Sequence, residues 1–423
     1  MHHTVPSGCR STARATALRH ALASICALLV AGGVTAQGKI YEPTPGFGVI
    51  KLPPQKPDDL MTITAGMHHA CVTQRDGAVL CWGRGDSGQL GLPKLDACGT
   101  TACSLQPARV ATDVNGARFA STRVSGGADH TCGLDARGAA YCWGSNMESQ
   151  TGVPSLLQVW QPTPAAAGKV FTAIGAGTRS TCAVEPNSTW CWGQIGDGSL
   201  NGPTWQPMPV PSSAGYQAVS VGFFHACLQT DLHRYTDVDC VGNNQFGQLG
   251  FDLSCGNALP VPSGSDFGRP VGPPRTRESY TCVERYADGT VACAGDNSWG
   301  QLGNGSRTSS AKPVPVGSGA KLHDVSAGWT HACALDPQQQ GWCWGDNYFG
   351  QLGNRSRLAS AMPVRVGGGV VTFRALAAGY LFTCGIGTDN PVYCWGNNDA
   401  AQLGRGYSGS FDWEPRRPST IRM

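Results

Sequence analysis

Sulfur carries most of the chemistry legible in this chain of 423 residues, which holds 19 cysteines. Fourteen of them form seven short-range pairs: Cys71 with Cys81, Cys132 with Cys142, Cys182 with Cys191, Cys227 with Cys240, Cys282 with Cys293, Cys333 with Cys343 and Cys384 with Cys394. His69, His130, His225 and His331 each stand two residues before the first cysteine of a pair. On a strand, residues i and i+2 share a face, so such a unit could offer metal ligands or a disulfide. Zinc needs about four converging ligands and a unit supplies three at most, so no metal and no cofactor is expected and the pairs are read as disulfides. There is no Cys-x-x-Cys sequence, which argues against catalytic thiols. Cys98 and Cys103 add a further local bridge, and Cys255 is left unpaired.

Such bridges require hairpins that set the two cysteines opposite one another. Cys71 and Cys81 are symmetric about Asp76, which leaves Arg75, Asp76 and Gly77 as a three-residue loop with Gly77 at the position needing positive φ. Ala136, Arg137 and Gly138 repeat that loop, Asn390 takes the same place in the last unit, and Gln339 takes it in the sixth without a comparable preference. After each hairpin comes a turn of the form G-Q-L-G, best seen in Trp342–Gly353. A Pro-led strand such as Met362–Val366 and an alternating strand such as Asp324–Gly328 follow. The first cysteines are 61, 50, 45, 55, 51 and 51 residues apart. Seven units of four strands at this period give an all-β, seven-bladed propeller with intra-blade disulfides. Arg417–Ile421 reads as one more Pro-led strand, and the first unit lacks one upstream. This segment is therefore expected to complete the first blade and close the ring, with Gly48–Leu52 as the competing candidate.

The pattern V-S-A-G-x-x-H-x-C-A-L … C-W-G-x-N-x-x-G-Q-L-G … P-V-x-V resembles the repeat of the regulator of chromosome condensation family, over roughly residues 60–423, as a secreted, cysteine-rich variant. The resemblance implies a seven-bladed propeller. It does not fix an activity, because members serve as exchange factors for a Ran-type GTPase, as a photoreceptor, as ubiquitin-ligase scaffolds and as a secreted enzyme inhibitor. No residue here matches an exchange-factor catalytic site.

Arg10, Arg14 and Arg19 precede the apolar run Ala21–Val34, and Val34, Thr35 and Ala36 suit signal-peptidase cleavage. Residues 1–36 are expected to be a signal peptide, 37–58 a Pro-rich linker and 59–423 the propeller. Loss of the leader removes three arginines, leaving 28 basic against 28 acidic residues without a like-charge run. That speaks against nucleic acid as a partner, and no later segment would insert in a membrane. The expected location is secreted or extracytoplasmic, in periplasm or at a cell surface, and the expected state a monomer.

Within the repeat, the four histidines and the recurring Trp82, Trp143, Trp192, Trp344 and Trp395 are read as packing residues. Paired carboxylates, a nucleophile elbow and a phosphate loop are all missing, so no catalytic residue is proposed. Binding is expected in the irregular loops Leu92–Leu105, Asn146–Gln161, Gly196–Trp205 and Gly250–Pro274, with Trp160, Trp205, Phe251 and Phe267 as candidates. The leading function is a non-catalytic protein-protein interaction module. A carbohydrate-binding, lectin-like propeller and a guanine-nucleotide exchange factor for a small GTPase are the alternatives.

Overall fold

The computed structural model describes residues 60–418 apart from 111, 155, 187, 195–203, 210–214, 231–237, 252–273, 278 and 286–288. The signal segment, the linker, the candidate strand Gly48–Leu52, Cys255 and Phe267 lie outside the described residues.

Seven antiparallel sheets follow one another along the chain. Blade 6 shows the plan: His323–Ala327, His331–Leu335, Gly341–Gly345 and Ser360–Arg365 pair in sequence order. Cys333 and Cys343 face each other in register, with Cα atoms 4.0 Å apart and a bonded sulfur pair. The other six hairpins repeat this, and Cys98–Cys103 is bridged as well. The first strand of each blade lines a central channel of about 420 Å³. Blade 4 has three strands among the described residues, Tyr216–Val221, His225–Thr230 and Val238–Gly242.

The three-residue loop forms as the sequence suggests: Gln74 N donates to Ala78 O, and Gly77 has φ +83°. Gln339 takes the same conformation at φ +62°. The Asp336 carboxylate explains this, since its Oδ1 accepts from the N–H of both Gln338 and Gln340 at 2.9 Å and holds the turn shut.

The G-Q-L-G turn joins blades. Gln351 Oε1 accepts from Phe349 N, closing the turn, while its main-chain oxygen accepts from Trp395 Nε1 and Thr383 Oγ1 of blade 7, all at 2.9 Å. Leu352 is buried, and Gly353, at φ +66°, lies against the Trp395 ring. A Cβ at Gly353 would stand 2.6 Å from Trp395 Nε1. Gly353→Ala is therefore expected to destabilise the propeller by roughly 2–4 kcal/mol, from left-handed strain plus overpacking. A urea titration checks this, and an unchanged midpoint would remove the packing argument.

The histidines connect blades in the same way. Nε2 of His69, His130 and His331 lies 2.9 Å from Oγ1 of Thr131, Thr181 and Thr383 respectively, and His225 lies 3.0 Å from Thr281. Thr131, Thr181 and Thr383 pass their own protons to the carbonyls of Gln89, Gln150 and Gln351, so those imidazoles donate through Nε2–H. The five recurring tryptophans are all fully buried.

Closure of the ring differs from the sequence expectation. The fourth strand of blade 1 is Thr101–Arg109, and the C-terminal strand Phe411–Arg416 completes blade 7. Arg417 and Pro418 are not in a strand. The Pro-led strand of blade 1, with Pro107 in the place of Pro363, begins inside the insertion that reads as a variable loop. Its extra strand, Asp96–Cys98, turns through the Cys98–Cys103 bridge, and this cystine packs with Ala401 of blade 7. Gly406 N donates to Leu105 O at 2.8 Å and Trp82 Nε1 to Gln402 O at 2.9 Å. The ring thus closes by packing and hydrogen bonds between blades 1 and 7, and Leu92–Leu105 serves that seam.

Candidate functional site

Alternation of strand direction puts the turn between strands one and two on the same side as the loop between strands three and four. The backbone confirms it: Arg84 N donates to His68 O, Ser145 N to Asp129 O, Asp346 N to Thr330 O and Asn397 N to Leu381 O. The opposite side carries the turns of the disulfide hairpins, tight and polar where they are described. Binding groups therefore separate by face.

On the loop side, two residues per blade sit between the repeated glycine and the histidine position. They are not constrained by the repeat, and several are aromatic. Trp329 meets Tyr380 edge to face at 4.3 Å, Tyr380 meets His68 at 5.5 Å, and Phe223 packs on Phe224 at 3.8 Å with the Arg179 guanidinium 5.4 Å from the Phe223 ring. Met67, Ala128, Thr178, Trp329 and Tyr380 surround a small cup over the channel mouth. Arg277 lies in the same cup, and its Nη2 donates to Ala65 O at 2.6 Å across the channel end. Burial, reinforced by Arg84, pushes the His68 imidazole down to about 4, so this ring is neutral at physiological pH. Burial also holds the Asp129 carboxyl above its usual range.

Farther out, the loops between strands three and four place Phe246, Trp299 and Tyr348 at their tips, with Trp413 on the neighbouring fourth strand of blade 7; all four are exposed. The arrangement offers stacking surfaces, guanidinium groups and backbone polar groups. Among the described residues, no group of three His, Cys, Asp or Glu is placed to hold a metal.

Among the described residues, the aromatic candidates from the sequence are not brought together. Trp160 is half exposed, but it lies on a strand, Gln158–Ala165, where it packs against Gly88 of blade 1. Trp205 also belongs to a strand, Thr204–Pro209. Phe251 is half buried against the cluster of Leu249, Val238 and Val283, so it is a core residue and not an exposed anchor. The missed group is Phe223, Trp329 and Tyr380. Its signal was the pair of freely varying positions inside an otherwise repeated motif.

Family models described as the regulator of chromosome condensation (RCC1) repeat match residues 76–134 and 288–335, and a second such model matches 122–150, 323–351 and 373–402. The human E3 ubiquitin-protein ligase HERC2 is 26% identical over 293 residues, covering 65% of this chain and 6% of that protein. The Arabidopsis thaliana ultraviolet-B receptor UVR8 is 26% identical over 301 residues, covering 65% of this chain and 62% of the receptor. The chain thus spans less than two thirds of these relatives. Among solved structures, Prp20p from Saccharomyces cerevisiae superposes with a TM-score of 0.68 at 18% identity, covering 86% of this chain and 88% of that one. Human WBSCR16 gives 0.69 at 18% identity, covering 81% and 94%.

Proposed function

This chain is a seven-bladed propeller of regulator of chromosome condensation repeats, and on that footing we propose that it works as a secreted, non-catalytic module that binds another protein on its loop face. The observation that carries the reading is the Trp329–Tyr380 pair in the cup at the channel mouth, with Phe223 at the equivalent position of blade 4, all at positions the repeat leaves free. Large amphipathic rings beside arginines are the composition of interface anchors. The leader-like residues 1–36 and the abundance of disulfides support an oxidising compartment. The solved structure of Prp20p is described with its binding properties to Gsp1p and histones, which supports a protein partner by analogy. Exchange-factor activity has family membership alone behind it.

The test is chemical cross-linking of the oxidised protein to partners from an extracytoplasmic fraction, with Trp329→Ala/Tyr380→Ala alongside. Cross-links on the loop side, lost in the double variant, are the expected result. Cross-links confined to the disulfide hairpins would overturn it. A carbohydrate-binding reading draws on the exposed Trp299 and Tyr348 beside Asp296 and Asn304, and a glycan array run in parallel separates the two.

A further inference from the structure

The outer rim of the loop face is not equivalent around the ring. Among the described residues the same turn is built in six blades, each with the residue before its first glycine or its counterpart donating N–H to the Gln side chain. Ser87, Glu148 and Ala400 make that bond at 2.8–2.9 Å, and so do Trp299 and Phe349 at 2.9 Å, with Phe246 at 3.0 Å. The turn works equally well with a small or charged residue, so its geometry does not require the aromatic side chains of blades 4, 5 and 6.

These aromatics join neighbouring groups into one surface. Gly305 N donates to Ala361 O at 2.9 Å, seating the blade 5 loop beside the half-exposed Met362. Arg355 N donates to Trp413 O at 3.0 Å, seating the blade 6 loop on blade 7. Between them Arg357 is clamped, 4.9 Å from the Tyr348 ring and 4.7 Å from the Phe411 ring, with Nε donating to Tyr348 O.

Among the described residues, exposed cations on this sector are left without ion-pair partners, while its carboxylates are tied into local hydrogen bonds. Arg307, Lys312 and Arg357 are exposed and have no carboxylate partner among the described residues. The nearby acids are already engaged. Asp296 accepts from Ser298, Gln301 and Ser309, Asp346 from Gln351 and Tyr348 N, and Glu414 from Arg355 and Arg416. A stacked guanidinium has lost little further freedom to give up on binding, and it keeps its Nη groups in a fork suited to carboxylate.

We propose that the sector of blades 5–7 around Trp299, Tyr348, Arg357 and Trp413 docks an acidic segment of a protein partner that also presents an aromatic or long apolar side chain. This rests on the loop-face reading and names where on that face the contact is made and with what chemistry.

The test uses the full oxidised chain and a fluorescein-labelled decapeptide alternating Asp or Glu with Phe and Trp. A matched Lys-rich decapeptide, a decaglutamate and polygalacturonate serve as comparisons. The acidic aromatic peptide should bind tightest and weaken as salt rises. Arg307→Glu/Arg357→Glu should reduce its affinity at least tenfold with the melting temperature unchanged, and Arg307→Glu alone should reduce it in the same direction. Equal binding of the Lys-rich peptide, tighter binding of polygalacturonate, or indifference to both variants would overturn the proposal. Partner cross-links confined to the Trp329 and Tyr380 cup, without decapeptide binding, would overturn this sector while leaving the loop-face reading in place. Absence of any loop-face cross-link would remove both.

Discussion

Reduction of the disulfides is expected to unfold the propeller under conditions in which the oxidised chain remains native. Seven of the eight bridges span 9 to 13 residues and tie the second and third strands of a blade together. In the chain-entropy model each loop of this size is worth roughly 2–3 kcal/mol. The terms do not add strictly, yet even half their sum reaches the whole net stability of an ordinary folded domain, about 5–15 kcal/mol. The cystine sulfurs also sit in the core, with Cys71, Cys132, Cys282, Cys333 and Cys384 fully buried. Breaking one bond leaves two thiols to be accommodated where one bridge had fitted. A thermal melt with and without a phosphine reductant should show a fall on the order of 20 °C or a loss of the transition. Removing one bridge through Cys333→Ala/Cys343→Ala should cost about 2–3 kcal/mol, minus any native strain released. Non-reducing peptide mapping identifies the bridges. Free thiols throughout the hairpins, with an unchanged melt in reductant, would sink both the staple argument and the proposed oxidising compartment.

The parts of this fold that could be read from the residues are those fixed by local geometry. A cysteine pair around Asp76 and Gly77 can close only as a hairpin with those residues at its tip, and the register of Cys71 opposite Cys81 follows. Seven such hairpins at one period leave little choice of architecture. Ring closure was not local. In blade 7 the fourth strand carries Pro415 in the place of Pro313 and Pro363, so its marker is present, but Pro418 just beyond it mimics a second one and draws the reading past the strand. In blade 1 the marker Pro107 is present, but the Cys98–Cys103 hairpin precedes it and gives the start of its strand the look of a loop. The loop-face aromatics were hidden for a related reason. Trp160, Trp205 and Phe251 stand out because their surroundings are irregular, yet two of them lie on strands and Phe251 turns into the core. Trp329 and Tyr380 stand inside the most regular stretch of the repeat. Their grouping becomes visible only when the blades are arranged around a common axis.

Acid should destabilise this protein well above the usual carboxylate range, through the four repeat histidines. His69, His130, His225 and His331 are almost completely buried, and burial pushes each imidazole down to about 3. In the unfolded chain the same groups titrate near 6.5. Above that value both states are neutral and the histidines contribute their full stability. As pH falls through 6.5 the unfolded chain takes up protons that the folded one refuses, so stability declines down to the folded value near 3. Each histidine adds a slope of about 1.4 kcal/mol per pH unit within that window. Asp129 and Glu284, held high by burial, act in the opposite sense, because the folded form accepts their protons before the unfolded chain does. The structural reason for the refusal is specific. Nε2–H already serves a threonine hydroxyl, and the Nδ1 atom of each ring has no partner to receive a second N–H. Unfolding free energies between pH 7 and pH 5 should therefore report an uptake of up to four protons. Blade 7 supplies the control, since Phe382 fills the equivalent position there without a titrating group. His331→Phe is expected to lower the proton uptake by one and to flatten the pH dependence, whatever it does to stability at pH 7. A pH profile identical to that of the unsubstituted protein would mean that His331 is not held neutral, and the His331–Thr383 contact would then have to be assigned differently.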